Sequence, residues 1–443
     1  MPGAKRATAG AIIRFTDELR WFFLRAAGGF AGFAIPGVVA SRAVMTAIFT
    51  LAAGCALIGL LPRLATAAGW RQAGAELGRP FGLAILVMLA CWLASALAGL
   101  APGRSLAAWG WTAALLLLGW LVASALREDE RAVAEALWSL VVTSLACILL
   151  ALAAMYLWHG AVDPLGVRGI DSFHNARQGL KSYGSIAPVL APLVLWAGWR
   201  LGGPWRIAGL AYLVLALALV LTVSSRAGLL GVGSIGLALA IAVLLTRLPR
   251  RAARWTAAGL AIAAVAGTVV FATYLPRPPV KGLEDYRISR SFQVHRQAIW
   301  GFAVHHALRA PVLGHGPDAA RLIPGAHKRI GWFAAEYVPA HVHNWIFQAA
   351  VETGFLGLAA MLVVVAMLFG RFVRAAARGR GAGWAGVAMM GAYFGSWLAN
   401  FSLWAAWWQL AGIVLAAIVL AAIDGGGPPI TQSGRRAPLR ARI

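Results

Sequence analysis

"FGLAILVMLACWLASALAGL", residues Phe81–Leu100, runs for twenty residues without a charge. As a helix it would be about 30 Å long, the thickness of a bilayer's hydrocarbon core. A second run, "AAGLAIAAVAGTVVFATYL" at 257–275, repeats the pattern, and the whole 443-residue chain is 60% hydrophobic and 12% charged, about half the charged share of a soluble domain. These runs predict an all-α polytopic membrane protein, since a lipid-exposed backbone must satisfy its hydrogen bonds internally.

Apolar windows between polar breaks lie near 20–40, 43–61, 81–100, 106–126, 136–158, 185–200, 206–223, 228–246, 256–275, 343–370, 384–400 and 404–423, about twelve transmembrane helices. Pro188 and Pro192 are expected to break one of them. The formal net charge of +24 is read first as topology. Basic clusters at "RLATAAGWRQAGAELGR", "REDER", "RLGGPWR", "RLPRRAAR", "RFVRAAARGR" and "GRRAPLRAR" all fall on the cytoplasmic side if the N-terminus does, and the C-terminus then falls there too. No aromatic-basic module accompanies them, so nucleic acid is not an expected partner. Cys55, Cys91 and Cys147 sit inside apolar runs without CxxC spacing and read as packing residues. A cleaved signal peptide is not expected, because the first apolar segment lacks a small-residue cleavage site.

The expected organisation is 1–275 with nine helices and an outer segment at 159–184, a large outer loop at 276–342 containing short helices, three helices over 343–423, and a cytoplasmic tail at 424–443. Both outer segments are net basic. The second holds Arg277, Lys281, Arg287, Arg290, Arg296, Arg309, Arg321, Lys328 and Arg329 against Glu284, Asp285, Asp318 and Glu336. Inner-loop charge bias does not account for these cations, which suit an anionic substrate or the anionic headgroups of membrane lipids.

Three places could carry chemistry. In "LTVSSRAGLLGVG", Arg226 stands in a very short outer turn between apolar spans, where a guanidinium needs an anionic partner or a wet cavity, or else snorkels to headgroups or caps a helix. In "RSFQVHRQAIWGFAVHHALRAPVLGHGP", helical spacing puts Phe292, Arg296, Ile299, Trp300 and Ala303 on one stripe, so Arg296 projects from the apolar side toward the bundle. The Gly314–His315–Gly316 turn that follows could cradle phosphate through its N–H groups or serve only as a tight turn. In "HVHNWIFQAAVETGFLG", His343 and Asn344 open a helix, while Asn344, Gln348 and Glu352 form a polar stripe that must face protein or water. Gly354 and Gly357 leave room for close helix approach. His343 is either a structural hydrogen-bonder or a general base. No metal-ligand spacing and no GxSxG occur; arginines beside one histidine fit departure of an activated anionic leaving group such as a lipid diphosphate.

"HNWIFQAAVETGFLG" fits a pattern of His, then Asn/Ser/Gln, nine residues, Gly, two residues and Gly/Thr/Tyr, and so resembles the O-antigen ligases of Gram-negative bacteria. "SRAGLLG" and "HRQAIW…APVLGHGP" are similar to two other marks of the wider O-antigen ligase and polymerase superfamily. The resemblance implies a GT-C-like fold and a metal-independent, inverting glycosyltransferase without cofactor. Such an enzyme moves O-antigen polysaccharide from undecaprenyl diphosphate to a sugar hydroxyl of the lipid A-core oligosaccharide at the periplasmic face of the inner membrane. By position, His343 would match the family's general base, and Arg226 and Arg296 the arginines that hold the diphosphate. His315 departs from the small or aliphatic residue usual there and becomes an extra candidate; Arg290, Lys181, Arg168 and Asn344 are further candidate substrate contacts. An O-antigen polymerase or related oligosaccharyltransferase uses the same donor, and a transporter of an anionic lipid would need pseudo-symmetric halves, which the sequence does not show.

Overall fold

The structure, a computed structural model, describes residues 2–163, 166, 169–290, 293–331 and 335–425. The helices are α1 (Pro2–Ala34), α2 (Arg42–Leu64), α3 (Ala67–Leu77), α4 (Pro80–Ala98), α5 (Pro102–Glu128), α6 (Glu130–Tyr156), α7 (Phe173–Gly179), α8 (Lys181–Leu201), α9 (Pro204–Thr222), α10 (Arg226–Arg247), α11 (Arg250–Thr273), α12 (Val294–Ala307), α13 (Trp345–Ala377), α14 (Gly381–Trp397) and α15 (Ala406–Asp424). Among the described residues, extended pairing is limited to one isolated bridge, Arg329 with Glu336. Eleven segments are long and apolar enough to cross a membrane, so the chain is a polytopic membrane protein. The twelfth expected span is α14, which stops at 17 residues and is buried along most of its length.

Two sequence expectations need correction. Pro188 and Pro192 lie inside α8 without ending it, because neighbouring helices hold a transmembrane helix together where proline removes its own hydrogen bonds. Helix α13 starts at Trp345 rather than His343 and is itself interrupted: Gly354 takes φ +67°, ψ 179°. A methyl group at Gly354 would stand 2.1 Å from the carbonyl oxygen of Val312, so this glycine provides a left-handed break under a crossing strand and not simply room between helices.

The backbone groups released at the break are taken up by residues 311–316. His315 N donates to Val351 O at 3.0 Å and Gly316 N to Glu352 O at 2.8 Å, while Pro311 O accepts from Phe355 N at 2.7 Å. Ser95 Oγ on α4 adds a bond to Glu352 O at 2.9 Å. The Gly314–Gly316 turn thus spends the N–H groups of His315 and Gly316 on α13 and that of Gly314 on Ala310 O, and is a clamp on a broken helix, not a phosphate cradle.

Beyond the break, the loop between α11 and α13 folds around its own apolar core, in which Ile299 and Phe302 of α12 meet Ile330, Tyr337, Val338, Val342 and Val351. Helix α11 buries none of its residues. At its loop end Phe271 meets Trp300 and Phe347, with ring centroids 6.0 and 6.3 Å apart.

At the opposite end of the bundle carboxylates and arginines interlock. Glu128 accepts from Arg20 at 2.9 Å and Arg63 at 2.7 Å, Asp129 from Arg25 at 3.2 Å, and Asp424 from Arg371 at 3.0 Å. Glu76, on the short α3 that the sequence reading placed in a basic cluster, lies 3.7 Å from Arg63 and 3.8 Å from Arg127. At the loop end, among the described residues, Arg104 pairs with Asp318 at 2.6 Å, and His327 Nδ1 lies 2.7 Å from Glu336 Oε2.

Candidate functional site

His343 occupies the residue before the Asn344 cap of α13 and holds φ +59°. Its ring Nδ1 lies 3.0 Å from the main-chain oxygen of Asn400, in the connection between α14 and α15. A carbonyl only accepts, so Nδ1 carries the proton and Nε2 keeps its lone pair. His341 Nε2 reaches the same oxygen at 2.9 Å, and the two rings lie 3.9 Å apart.

Helix α12 brings Arg296 to this pair. Trp300 Nε1 donates to Val342 O at 3.1 Å, between the two histidines, and His295 Nε2 meets Glu336 O at 2.8 Å. The first bond fixes α12 against the 341–343 segment and the second against Glu336. Arg296 is half-buried, while Ile299 and Ala303 of the expected stripe are buried; Phe292 lies outside the described residues.

Electrostatic coupling links Arg226 to Arg296 and Arg296 to His343. Burial, then the charge of Arg226, pulls the Arg296 guanidinium below its ordinary range. Burial first, then His341 and Arg296, pushes the His343 imidazole down to about 3, against the Asn400 hydrogen bond, which favours its protonated form. His341 is lowered as well, by burial and Arg296, with Asn400 and Asp318 opposing. Both imidazoles are therefore neutral at physiological pH in the unliganded protein.

Arg226 is the first residue of α10, whose cap Ser225 accepts from Gly228 N at 3.0 Å. Ser225 Oγ is 3.1 Å from Ser185 Oγ, which accepts from the Asn400 side-chain amide at 2.9 Å. Backbone strain marks the same region: of four non-glycine residues with positive φ among the described residues, Ser224 and Gln293 stand just ahead of Arg226 and Arg296, and the third is His343 itself. Such conformations each cost about 1–3 kcal/mol and gather at functional sites.

The other sequence candidates are placed as follows. Asn344 is buried, and its Oδ1 caps α13 by accepting from Ile346 N at 3.0 Å and Phe347 N at 3.2 Å. Gln348 and Glu352 continue the stripe into protein, Gln348 through Ser402 and Leu403, Glu352 through Ala320 N and Trp404 Nε1. His315 sits at the α13 clamp, its Nε2 3.2 Å from His306 O. Lys181, at the start of α8, and Arg290 are exposed, and Arg168 lies outside the described residues. Sequence reasoning missed His341, Asn400, Ser185, Ser225 and Arg177, whose guanidinium donates to Ser224 Oγ. The only hint was polarity in greasy surroundings, as in "WLANFSLW" around Asn400. Hollows lined by Gly169–Gly179 and by Arg321–Lys328 contain none of Arg226, Arg296 or His343.

Fold and site together define a polytopic membrane protein with an arginine–imidazole cluster at one end of its helical bundle, beneath a folded loop. The O-Antigen ligase family model matches residues 210–362, a segment containing Arg226, Arg296 and His343, and the resemblance read from the sequence is shown there. "Putative polysaccharide ligase RP358" of Rickettsia prowazekii (strain Madrid E) is 25% identical over 158 residues, 35% of this chain and 38% of that protein. The similarly named RT0347 of Rickettsia typhi (strain ATCC VR-144 / Wilmington) is 27% identical over 133 residues, 29% of this chain and 32% of that protein. The chain thus spans about a third of the length of these curated relatives.

Proposed function

We propose that this protein is an inverting glycosyltransferase of the bacterial inner membrane that ligates O-antigen polysaccharide, carried on undecaprenyl diphosphate, to a sugar hydroxyl of the lipid A-core oligosaccharide. The observation that carries this reading is the bond of His343 Nδ1 to Asn400 O at 3.0 Å, which leaves Nε2 as acceptor, with Arg296 acting on this imidazole and Arg226 on Arg296. Both termini are assigned to the cytoplasm and the loop end to the periplasm, in accord with the basic clusters at the opposite end.

The donor's diphosphate binds at Arg226 and Arg296, and its isoprenoid tail lies in the bilayer beside α11, which offers apolar surface on every side. Burial is the main cause of the low basicity of His343, and an anion there offsets the share that Arg296 adds to it, so donor binding prepares the base. The acceptor hydroxyl then attacks the anomeric carbon opposite the leaving group: a new C–O bond forms, the bond to the diphosphate oxygen breaks, and the hydroxyl proton passes to His343 Nε2. The arginines stabilise the charge that grows on the departing diphosphate. A single in-line displacement inverts the anomeric centre.

Reconstitution tests donor, acceptor and metal independence together. Purified protein in liposomes, with a lipid-diphosphate-linked glycan, rough lipopolysaccharide and excess chelator, is expected to yield glycosylated lipopolysaccharide of inverted linkage. Elongation of the donor glycan instead would identify a polymerase, and a requirement for divalent metal or a retained linkage would refute the mechanism.

A further inference from the structure

We propose that Asn400 and Ser185 are positioning residues that hold His343 and Arg226 in one fixed relation; the inference rests on the functional reading above. Asn400 works with both of its ends. Its main-chain oxygen accepts from His343 Nδ1 and His341 Nε2 at 3.0 and 2.9 Å, and its side-chain amide donates to Ser185 Oγ at 2.9 Å. Ser185 Oγ also donates to Lys181 O at 2.9 Å and lies 3.1 Å from Ser225 Oγ, the cap of the helix that begins with Arg226.

Counting protons leaves one direction for this chain. A hydroxyl has one hydrogen and two lone pairs. Ser185 spends its hydrogen on Lys181 O, so Ser225 must donate to Ser185, and Ser225 in turn accepts from Gly228 N at 3.0 Å. Ser185 Oγ is then saturated, with one bond given and two received, and it is 1% exposed, so water cannot replace a lost partner. Ser396 adds a brace from α14, donating to Ala227 O at 2.9 Å. Four stretches distant in sequence are thereby locked: 341–343, α8, α10, and the end of α14 with Asn400 just beyond it. Asn400 O selects the His343 tautomer that leaves Nε2 able to take a proton, and the Asn400–Ser185–Ser225 link sets how far that imidazole stands from the α10 terminus.

The test uses the full chain in liposomes with four variants: Ser185→Ala, Ser185→Thr, Asn400→Asp and the double Ser185→Ala/Asn400→Asp. Asn400→Asp exchanges the donating amide for an acceptor facing a saturated oxygen. Imidazole 15N NMR is expected to show one Nδ1–H tautomer for His343 in the wild type and in Ser185→Thr, and a mixture in Ser185→Ala and Asn400→Asp. Turnover should fall on the order of 10- to 100-fold in the latter two with donor KM unchanged, and the double variant should be no slower than the slower single one. A retained single tautomer with wild-type turnover in Ser185→Ala and Asn400→Asp, or effects that multiply in the double variant, would overturn the proposal. The NMR result stands apart from the identity of the acceptor, so absence of transfer by the wild type would strike the functional reading alone.

Discussion

His341 and His343 converge on one acceptor, the main-chain oxygen of Asn400, from 2.9 and 3.0 Å. Two imidazoles that share a carbonyl must each spend an N–H on it, so neither is cationic by need and each keeps one basic nitrogen. Burial first, and then Arg296, makes protonating either one costly.

This arrangement predicts an unusual pH profile. His343 gains its proton in the free protein only near pH 3, so kcat/KM for the donor should stay level from pH 8 down to about 5 instead of bending at 6.5. Profiles of kcat report the donor-loaded state, in which the diphosphate raises the imidazole's basicity, so their acid limb should lie higher. A kcat/KM limb centred at 6.5 would contradict the assignment.

Arg296 supplies charge from a fixed direction. Arg296→Ala should lower kcat/KM by about 100- to 1,000-fold, and Arg296→Lys should fall between, keeping the charge and losing the planar fork. Either variant's expression and melting temperature should match the wild type, since the site pays a desolvation cost to hold this cation. Steady-state kinetics beside a detergent melt separate the two effects.

Acid should weaken the loop end. His306 binds its proton near pH 4 when folded and near 6.5 when unfolded, and His343 near 3, so between those values the unfolded chain holds more protons and stability falls as pH falls. The contribution of His306 is full above 6.5 and about 3 kcal/mol of it is lost by pH 4. Thermal melts from pH 7 to 4 should show this slope, and His306→Gln should reduce it, leaving the part due to His343.

Gly354 is where α13 breaks. Gly354→Ala puts a methyl group against Val312 O and forces alanine to φ +67°, with an expected loss of about 2 kcal/mol or more in stability. Because the clamp joins the half-helix that follows His343 to its continuation, transfer should fall as well. Gly233→Ala, in open space on α10, is the matched control and should leave both unchanged.

At the far end of the bundle, Glu128 takes bonds from both Arg20 and Arg63. Glu128→Gln should destabilise by about 1–3 kcal/mol by taking the counter-charge from Arg20 and leaving Arg63 with Glu76 alone, at 3.7 Å. Turnover of the protein that remains folded should not change, and a melt with an activity assay on the same sample tests both.

The apolar runs alone determined the helical membrane architecture, because a bilayer leaves a backbone no other way to satisfy its hydrogen bonds. Arg226, Arg296 and His343 were legible for a related reason: charge or imidazole in a stretch that should be greasy stands out without coordinates. The α13 break was not legible, since Gly354 in an apolar window reads equally as a packing glycine, and only the crossing of residues 311–316 shows which carbonyls and N–H groups it releases. Nor did the sequence offer the pairing of His341 and His343 at Asn400 or the Ser185–Ser225 link, whose partners lie 57 to 215 residues from Asn400 or 40 from each other. Periodicity reports which face of one helix is apolar; it carries no information on which distant carbonyl an imidazole meets, and that contact, fixed by tertiary packing, decides which ring nitrogen can accept a proton.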